Sequence, residues 1–311
     1  MKKKLFFSGQ VVLFGLFVFS LLATVLQFFG NSNSLTRFDH SKPVYNNLEA
    51  YDPSLFRLNS LERLEEYCDS IYAENVFADK GNEFEKTYVD IVSNTIRNRF
   101  YHGYSYSGFS DNYVGELISR VSLPGLSALV APDDILKYPY AACSQQAIVM
   151  METLKDKGFK TRKVTFDNIG HGGHFAFEVF SDGKWHFHDP NMEPDKKVLE
   201  AYERPDINFL VSNPEILLQA YNRYPKEQIL GIFASHSYGA INKFPAPRAI
   251  VFQKVTKFLS SAIWLFFLAA FFIVRRKYLK LSGKIRTQNS DISVARMQPE
   301  TVSVYYPPAQ G

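Results

Sequence analysis

Two apolar runs near the ends of this 311-residue chain constrain its fold more than any other feature. The first extends from Leu5 to Phe29, with one polar interruption at residues 8–10, and the second extends from Phe258 to Val274. Each run is close to the roughly 20 residues that a bilayer-spanning helix needs. We therefore predict two transmembrane helices, with the residues between them folded in one aqueous compartment.

Basic residues beside the two runs predict their orientation. Three lysines precede the first run at residues 2–4, and four basic residues follow the second between 275 and 280. Because basic flanks stay on the cytoplasmic side, both termini are predicted to be cytoplasmic. The chain is then a two-pass protein of the cell (inner) membrane, with residues 31–257 outside.

The distribution of charge agrees with this division. Residues 31–257 carry a formal charge of −4 and the two end segments together carry +8, although the whole chain has a pI near 8.8. The basic excess therefore reflects membrane orientation, and we predict no nucleic-acid partner. A cleavable signal peptide is the alternative for the first run, but a typical one has a shorter apolar stretch and small residues at its end.

Changes in pattern along the chain predict six segments. These are an N-terminal anchor at 1–30, a juxtamembrane linker and helix at 31–80, a core at 81–195, a helical extension at 196–257, a transmembrane helix at 258–275 and a disordered cytoplasmic tail at 276–311. Within the core, a helical pattern is followed by segments rich in β-branched and aromatic residues. The predicted fold class is α+β, a helix followed by an antiparallel sheet.

Cys143 stands at the start of that helical pattern, in "YAACSQQAIVMMETL". A helix N-terminus offers unpaired N–H groups and the positive end of the helix dipole, so a thiol placed there loses its proton more readily. The same N–H groups can stabilise the oxyanion that forms when a thiolate attacks a carbonyl. Cys143 is therefore a candidate nucleophile, which needs a base and a group to orient that base.

A predicted hairpin selects the base among the nearby histidines. The Asp182-Gly183 turn would pair residue 181 with 184 and, continuing inward, 176 with 189. His174 and Asp189 then lie on one face as diagonal neighbours within reach of each other. His186 and His188 point to the other face.

Several alternatives stay open from the residues alone. A disulfide between Cys68 and Cys143 would make the cysteine structural in an oxidising compartment. The histidine spacing resembles a zinc site, but the turn divides the histidines between two faces, so we predict no metal and no cofactor. His171 is a loop residue that could border a cleft, and Glu178 shares a face with His174 and could compete with Asp189.

The order of these residues resembles the transglutaminase-like superfamily. A cysteine opens a helix, a strand follows, then His174 with Glu178 and Val179 four and five residues on, and then Trp185 four residues before Asp189. The resemblance covers about residues 82–194. It implies a papain-like core with Cys143 as nucleophile, His174 as general base and acid, and Asp189 as the residue that orients His174.

The resemblance implies an enzyme that attacks an amide and forms a thioester, as a peptidase, an amidase or an acyltransferase. The expected substrate is a protein, a peptide or an amide of the cell envelope. Related enzymes usually supply a second oxyanion donor from a group before the cysteine, and Tyr138 and Tyr140 are the candidates here. The alternative function is a non-catalytic extracytoplasmic binding or assembly module with the same fold.

Overall fold

The computed structural model describes residues 2–30, 51–78, 84–121, 126–167 and 173–296. Within these ranges the chain has α+β architecture and separates into two compact units, Met1–Leu26 with Leu259–Gly311 and Gln27–Phe258. The helices are α1 (Lys2–Gly30), α2 (Leu61–Ala78), α3 (Phe84–Arg99), α4 (Phe109–Val121), α5 (Pro132–Ile135), α6 (Cys143–Asp156), α7 (Lys196–Ala201), α8 (Ile207–Ser212), α9 (Pro214–Ala220), α10 (Lys226–Ile232) and α11 (Pro247–Arg296), with a short 3-10 helix at Pro53–Arg57. The strands are β1 (Tyr101–His102), β2 (Tyr140–Ala141), β3 (Lys160–Phe166), β4 (His174–Ser181), β5 (Lys184–His188) and β6 (Ser237–Tyr238).

Two apolar helical segments are long enough to cross a membrane, Lys4–Phe29 and Pro247–Gly283. Most of each segment belongs to the first unit. Residues of α1 contact residues of α11 in reverse order along the chain. The ring centroids of Phe14 and Phe271 are 5.6 Å apart, and the Thr24 hydroxyl donates to the Ser260 carbonyl oxygen at 2.9 Å. The two segments therefore pack as an antiparallel pair.

Residues 276–296 differ from the sequence-based expectation of a disordered tail, because they continue α11 as a helix to Arg296. Once the apolar run has formed a helix, each further residue adds a hydrogen bond without the cost of a new nucleus. The rest of the predicted tail, residues 297–311, and the linker residues 31–50 lie outside the described residues.

The second unit is built on an antiparallel sheet with the strand order β5-β4-β3-β6. The predicted hairpin is confirmed, since Ser181 pairs with Lys184 and the ladder continues to Phe177 opposite His188. Asp182 and Gly183 both have positive φ, as a tight two-residue turn requires. The register therefore puts His174, Ala176 and Glu178 on one face of β4 and Phe175, Phe177 and Val179 on the other.

Each face of the sheet has its own hydrophobic core. On one face, Phe177 and Val179 pack in a core with apolar residues of α6, α3 and α2, among them Met150 and Leu154. On the other face, Phe166, Ala176 and Phe187 form a core with residues of α7, α8, α9 and α10. The sheet is thus covered on both sides, and the helices of the second cover all come after residue 195.

A buried arginine holds the segment that leads into β2 and α6. The Arg99 guanidinium is fully buried and donates to the carbonyl oxygens of Leu136 at 2.6 Å and Tyr138 at 3.1 Å. It also donates to the carbonyls of Leu58 and Phe56. Burial lowers the pKa of Arg99 to about 10, so it stays protonated at neutral pH. The backbone segment that precedes Cys143 is therefore held in place by the buried Arg99 side chain.

Candidate active site

Cys143 is the first residue of α6 and is partly exposed. The helix ends at Asp156, and Gly158 adopts a φ of 89° just after the last turn. Both cysteines are free thiols: Cys68 is fully buried, and burial raises the pKa of its thiol to about 12. The disulfide alternative is therefore not realised in the structure.

Gln145 fixes the start of α6. Its side-chain oxygen accepts from the backbone N–H groups of Ala142 at 3.1 Å and Ser105 at 2.9 Å. Its amide nitrogen donates to the carbonyl oxygens of Ser105 at 2.9 Å and Leu129 at 2.7 Å. All four hydrogen-bonding positions of this buried amide are used, so the backbone around Cys143 has little freedom to move.

His174 and Asp189 lie together, as the hairpin register predicts. The His174 Nε2 atom is 2.7 Å from the Asp189 Oδ2 atom, and both side chains are almost completely buried. Burial alone would lower the pKa of His174, but the Asp189 charge and hydrogen bonds to Asp189 and Cys143 raise it to about 10. His174 therefore interacts with both predicted partners and is held as an imidazolium at neutral pH.

The geometry also assigns the two ring nitrogens of His174. Because Nε2 is engaged by Asp189, Nδ1 is the nitrogen that remains for the Cys143 thiol. A proton can then move between sulfur and Nδ1 while the carboxylate stabilises the charged ring. The structure thus brings together the three residues that the sequence singled out.

Tyr221 is a fourth member of this cluster that sequence reasoning missed. Its hydroxyl donates to Asp189 Oδ2 at 2.9 Å, and the whole side chain is buried. The other carboxylate oxygen accepts from the N–H groups of Asn191 at 3.2 Å and Met192 at 3.0 Å. Burial would raise the pKa of Asp189, but the charge of His174 and these hydrogen bonds hold it below its ordinary value. No motif in the sequence singles out Tyr221, because it lies 32 residues after Asp189 in a segment without a recognisable pattern.

His102 lies on the other side of the cluster. β1 pairs in parallel with β2, which places His102 opposite Ala141, two residues before Cys143. The Asn191 amide lies 2.5 Å from His102 Nδ1. Burial, together with the nearby charge of His174, lowers the pKa of His102, so its ring is neutral at neutral pH. No pattern in the sequence singled out this histidine.

The remaining histidines of the sequence motif have structural partners. The His186 ring nitrogens face the carbonyl oxygens of Arg204 at 2.7 Å and Ser181 at 3.2 Å. His188 is buried, stacks on Phe177 and has Nδ1 3.3 Å from the Arg204 guanidinium. His171 lies outside the described residues, and within the described ranges no group of three or more His, Cys, Asp and Glu residues could hold a metal ion.

Two other candidates have assignments in the structure. Glu178 is fully buried, pairs with Arg162 at 2.6 Å and accepts from the Ile207 N–H at 2.8 Å, so it ties β4 to β3 and α8. The Tyr138 hydroxyl donates its hydrogen bond to Asp111 at 2.7 Å, so its proton is already engaged and is not directed at an oxyanion. The Tyr140 ring lies beside the Tyr101 ring in the β1–β2 pair, in a tilted arrangement with centroids 6.0 Å apart.

No family model, curated protein or solved structure matches this chain. The resemblance to the transglutaminase-like superfamily and the papain-like description of the core therefore stay predictions.

Proposed function

We propose that the second unit is a cysteine enzyme that attacks an amide carbonyl and forms a thioester, in the manner of transglutaminase-like enzymes. One observation supports this most directly: the thiol at the N-terminus of α6 interacts with an imidazole whose other nitrogen is 2.7 Å from a buried carboxylate. A buried His-Asp pair that serves only stability has no need of a partly exposed cysteine beside it.

The proposed reaction follows from the roles of the three side chains. The Cys143 thiolate attacks the amide carbon, and the N–H groups of the first turn of α6 stabilise the oxyanion. His174 then donates its proton to the leaving nitrogen, the C–N bond breaks, and a thioester remains on Cys143. Water or an amine next attacks the thioester while His174 accepts its proton, the C–S bond breaks and the acyl product leaves, which restores the thiolate and the imidazolium.

Asp189 keeps His174 in the orientation and protonation state that these steps require. The carboxylate is buried and accepts four hydrogen bonds, so its own position is fixed before any substrate binds. We further propose that the papain-like core lies on the extracytoplasmic side of the cell membrane. A transmembrane span flanks it on each side in the sequence, and both chain termini are cytoplasmic. The substrate is then a protein, a peptide or an amide of the cell envelope.

Selective alkylation of the full chain in detergent tests this proposal. Iodoacetamide at neutral pH is expected to label Cys143 rapidly, because this partly exposed thiol lies at a helix N-terminus beside His174, whereas the buried Cys68 is unreactive. Peptide mass spectrometry locates the label. Cys143→Ala should abolish rapid labelling, and the matched variant Cys68→Ala should leave it unchanged.

A second variant links labelling to the proposed triad. Asp189→Asn removes the charge that keeps His174 protonated, so the rate of Cys143 labelling at pH 6 should fall by about tenfold or more. Equal labelling of Cys143 in wild type and Asp189→Asn, or labelling that persists in Cys143→Ala, would contradict the enzyme and favour a non-catalytic module. Product analysis of envelope extracts with wild type and Cys143→Ala then identifies the substrate.

A further inference from the structure

Helix α4 exposes a cluster of apolar side chains in the second unit. Leu117 is 44% exposed, Ile118 is 37% exposed and Val121 is 85% exposed, and Phe109 at the start of the helix is 38% exposed. The charged residues between them, Glu116 and Arg120, are paired with each other at 2.7 Å. Such a concentration of apolar surface on one short helix indicates a contact with an apolar partner.

Asn112 fixes the start of α4 against α11. This residue departs from helical geometry, and its side-chain oxygen accepts from the Gly115 N–H at 3.0 Å, so it caps the regular part of the helix. Its amide nitrogen donates to the Thr256 hydroxyl at 2.8 Å in a buried position. The helix is therefore anchored at its first turn to one residue of α11.

The segment that returns from α4 is held at the same place. The Gln253 amide nitrogen donates to the Ala128 carbonyl at 2.6 Å, and its oxygen accepts from the Val130 N–H at 3.1 Å. The Ser107 N–H also donates to the Ser127 carbonyl at 2.7 Å. Asn112, Ala128 and Val130 are thus all bonded to a single turn of α11.

That turn lies next to the apolar run of the same helix. Thr256 precedes Phe258, where the run begins, by two residues, a rise of about 3 Å along a helix. A helix with an apolar face binds a membrane surface with that face about 5–10 Å into the boundary between headgroups and acyl chains. An element anchored at Thr256 is therefore within reach of lipid wherever α11 enters a bilayer.

We propose that α4 is an interfacial helix whose Leu117, Ile118 and Val121 contact membrane lipid. The proposal rests on the two-span topology proposed above, and it is independent of the chemistry of Cys143. Lipid is favoured over a protein partner because α4 is anchored through Asn112 to Thr256, two residues before the apolar run of α11 begins.

Fluorescence quenching by brominated lipid tests the contact with three single-tryptophan forms of the full chain, which has two tryptophans. Trp185→Phe leaves Trp264 as a reporter within the second span. Leu117→Trp and Tyr202→Trp are each made with both native tryptophans changed to Phe. Tyr202 is the matched control, because it is also 44% exposed and already aromatic.

Each form is reconstituted into phosphatidylcholine vesicles with and without bromine on the acyl chains. Trp264 and Leu117→Trp are expected to lose emission about twofold or more in brominated vesicles, while Tyr202→Trp changes little. Quenching of Trp264 without greater quenching at residue 117 than at 202 would overturn the lipid contact. An unquenched Trp264 would instead overturn the membrane topology. Ile118→Trp serves as a second reporter if Leu117→Trp does not fold.

Discussion

Tyr221→Phe tests whether the hydrogen bond from the Tyr221 hydroxyl to Asp189 tunes the pKa of this carboxylate or only adds to local stability. The substitution removes one O–H donor from Asp189 and leaves the aromatic ring in place beside Phe233, with ring centroids 4.9 Å apart. No cavity forms, so the change in stability comes from the lost hydrogen bond. The expected effect is therefore electrostatic.

The magnitude follows from the partners of Asp189. A hydrogen bond to a charged group contributes about 1.5–3 kcal/mol. Asp189 keeps three other partners, one of them on the same oxygen, so we expect a loss near the lower end, about 2 kcal/mol. The same change removes one of the hydrogen bonds that favour the charged carboxylate, so it raises the pKa of Asp189 toward its ordinary value.

The loss should depend on pH in a defined direction. Because the pKa of Asp189 is lowered in the folded protein, its stabilisation is fully present above the unfolded pKa near 3.8 and is lost as pH falls through the folded pKa. Tyr221→Phe therefore destabilises the protein fully at pH 7 and progressively less at more acidic pH.

Urea unfolding in detergent, followed by Trp185 fluorescence between pH 7 and pH 3, measures this difference. Tyr224→Phe is the matched control, because the Tyr224 hydroxyl donates at 3.0 Å to the neutral Met192 carbonyl. It should cost about 1 kcal/mol at every pH. Equal, pH-independent losses in the two variants would refute a role for Tyr221 in tuning Asp189.

Three further predictions follow from the site and its supports. Because the pKa of His174 is raised to about 10, the stabilisation from its ion pair with Asp189 is complete below pH 6.5 and is lost toward pH 10. The urea midpoints of wild type and His174→Ala should therefore converge between pH 6.5 and pH 10. A constant difference between the two midpoints would contradict the ion pair. Arg99→Met leaves four carbonyls without their donor and should destabilise by about 3 kcal/mol or more in the same assay, whereas a loss below about 1 kcal/mol would show that these bonds are dispensable. Glu178→Gln should weaken the fold by about 2 kcal/mol without slowing Cys143 alkylation, and slower alkylation would show that Glu178 competes with Asp189.

The elements that the sequence predicted well are those set by local pattern. The start of α6 at Cys143 and the turn at Asp182 both depend on neighbouring residues, so propensity and turn chemistry were sufficient. The position of His174 relative to Asp189 then followed from strand register alone. Register is rigid because a shift of one residue would exchange the two faces of β4.

The elements that the sequence did not predict are those set by contacts between distant segments. β6 has two residues and forms only by pairing with β3, and Tyr221 reaches Asp189 through the packing of α9 on the sheet. Arg99 also gave no signal, because an isolated arginine at a helix end normally faces solvent. Its four carbonyl partners come from two separate segments of the chain.

The same distant contacts show why the predicted core at 81–195 cannot be isolated from the extension at 196–257. Val164, Phe166, Ala176 and Phe187 form a core whose other half comes from the later helices. Exposing these four side chains would cost on the order of 6–10 kcal/mol, which is comparable to the whole stability of a domain.

A chain that ends after residue 195 should therefore be degraded by protease and should not protect Cys68 from alkylation. A chain that ends after residue 258 is the matched control, because it also lacks the second apolar span but keeps α7–α10 and Tyr221. It should remain protease-resistant and retain rapid Cys143 labelling. A resistant, labelled 1–195 chain would show that the sheet needs only one of its two covers, and would remove Tyr221 from any necessary part of the site.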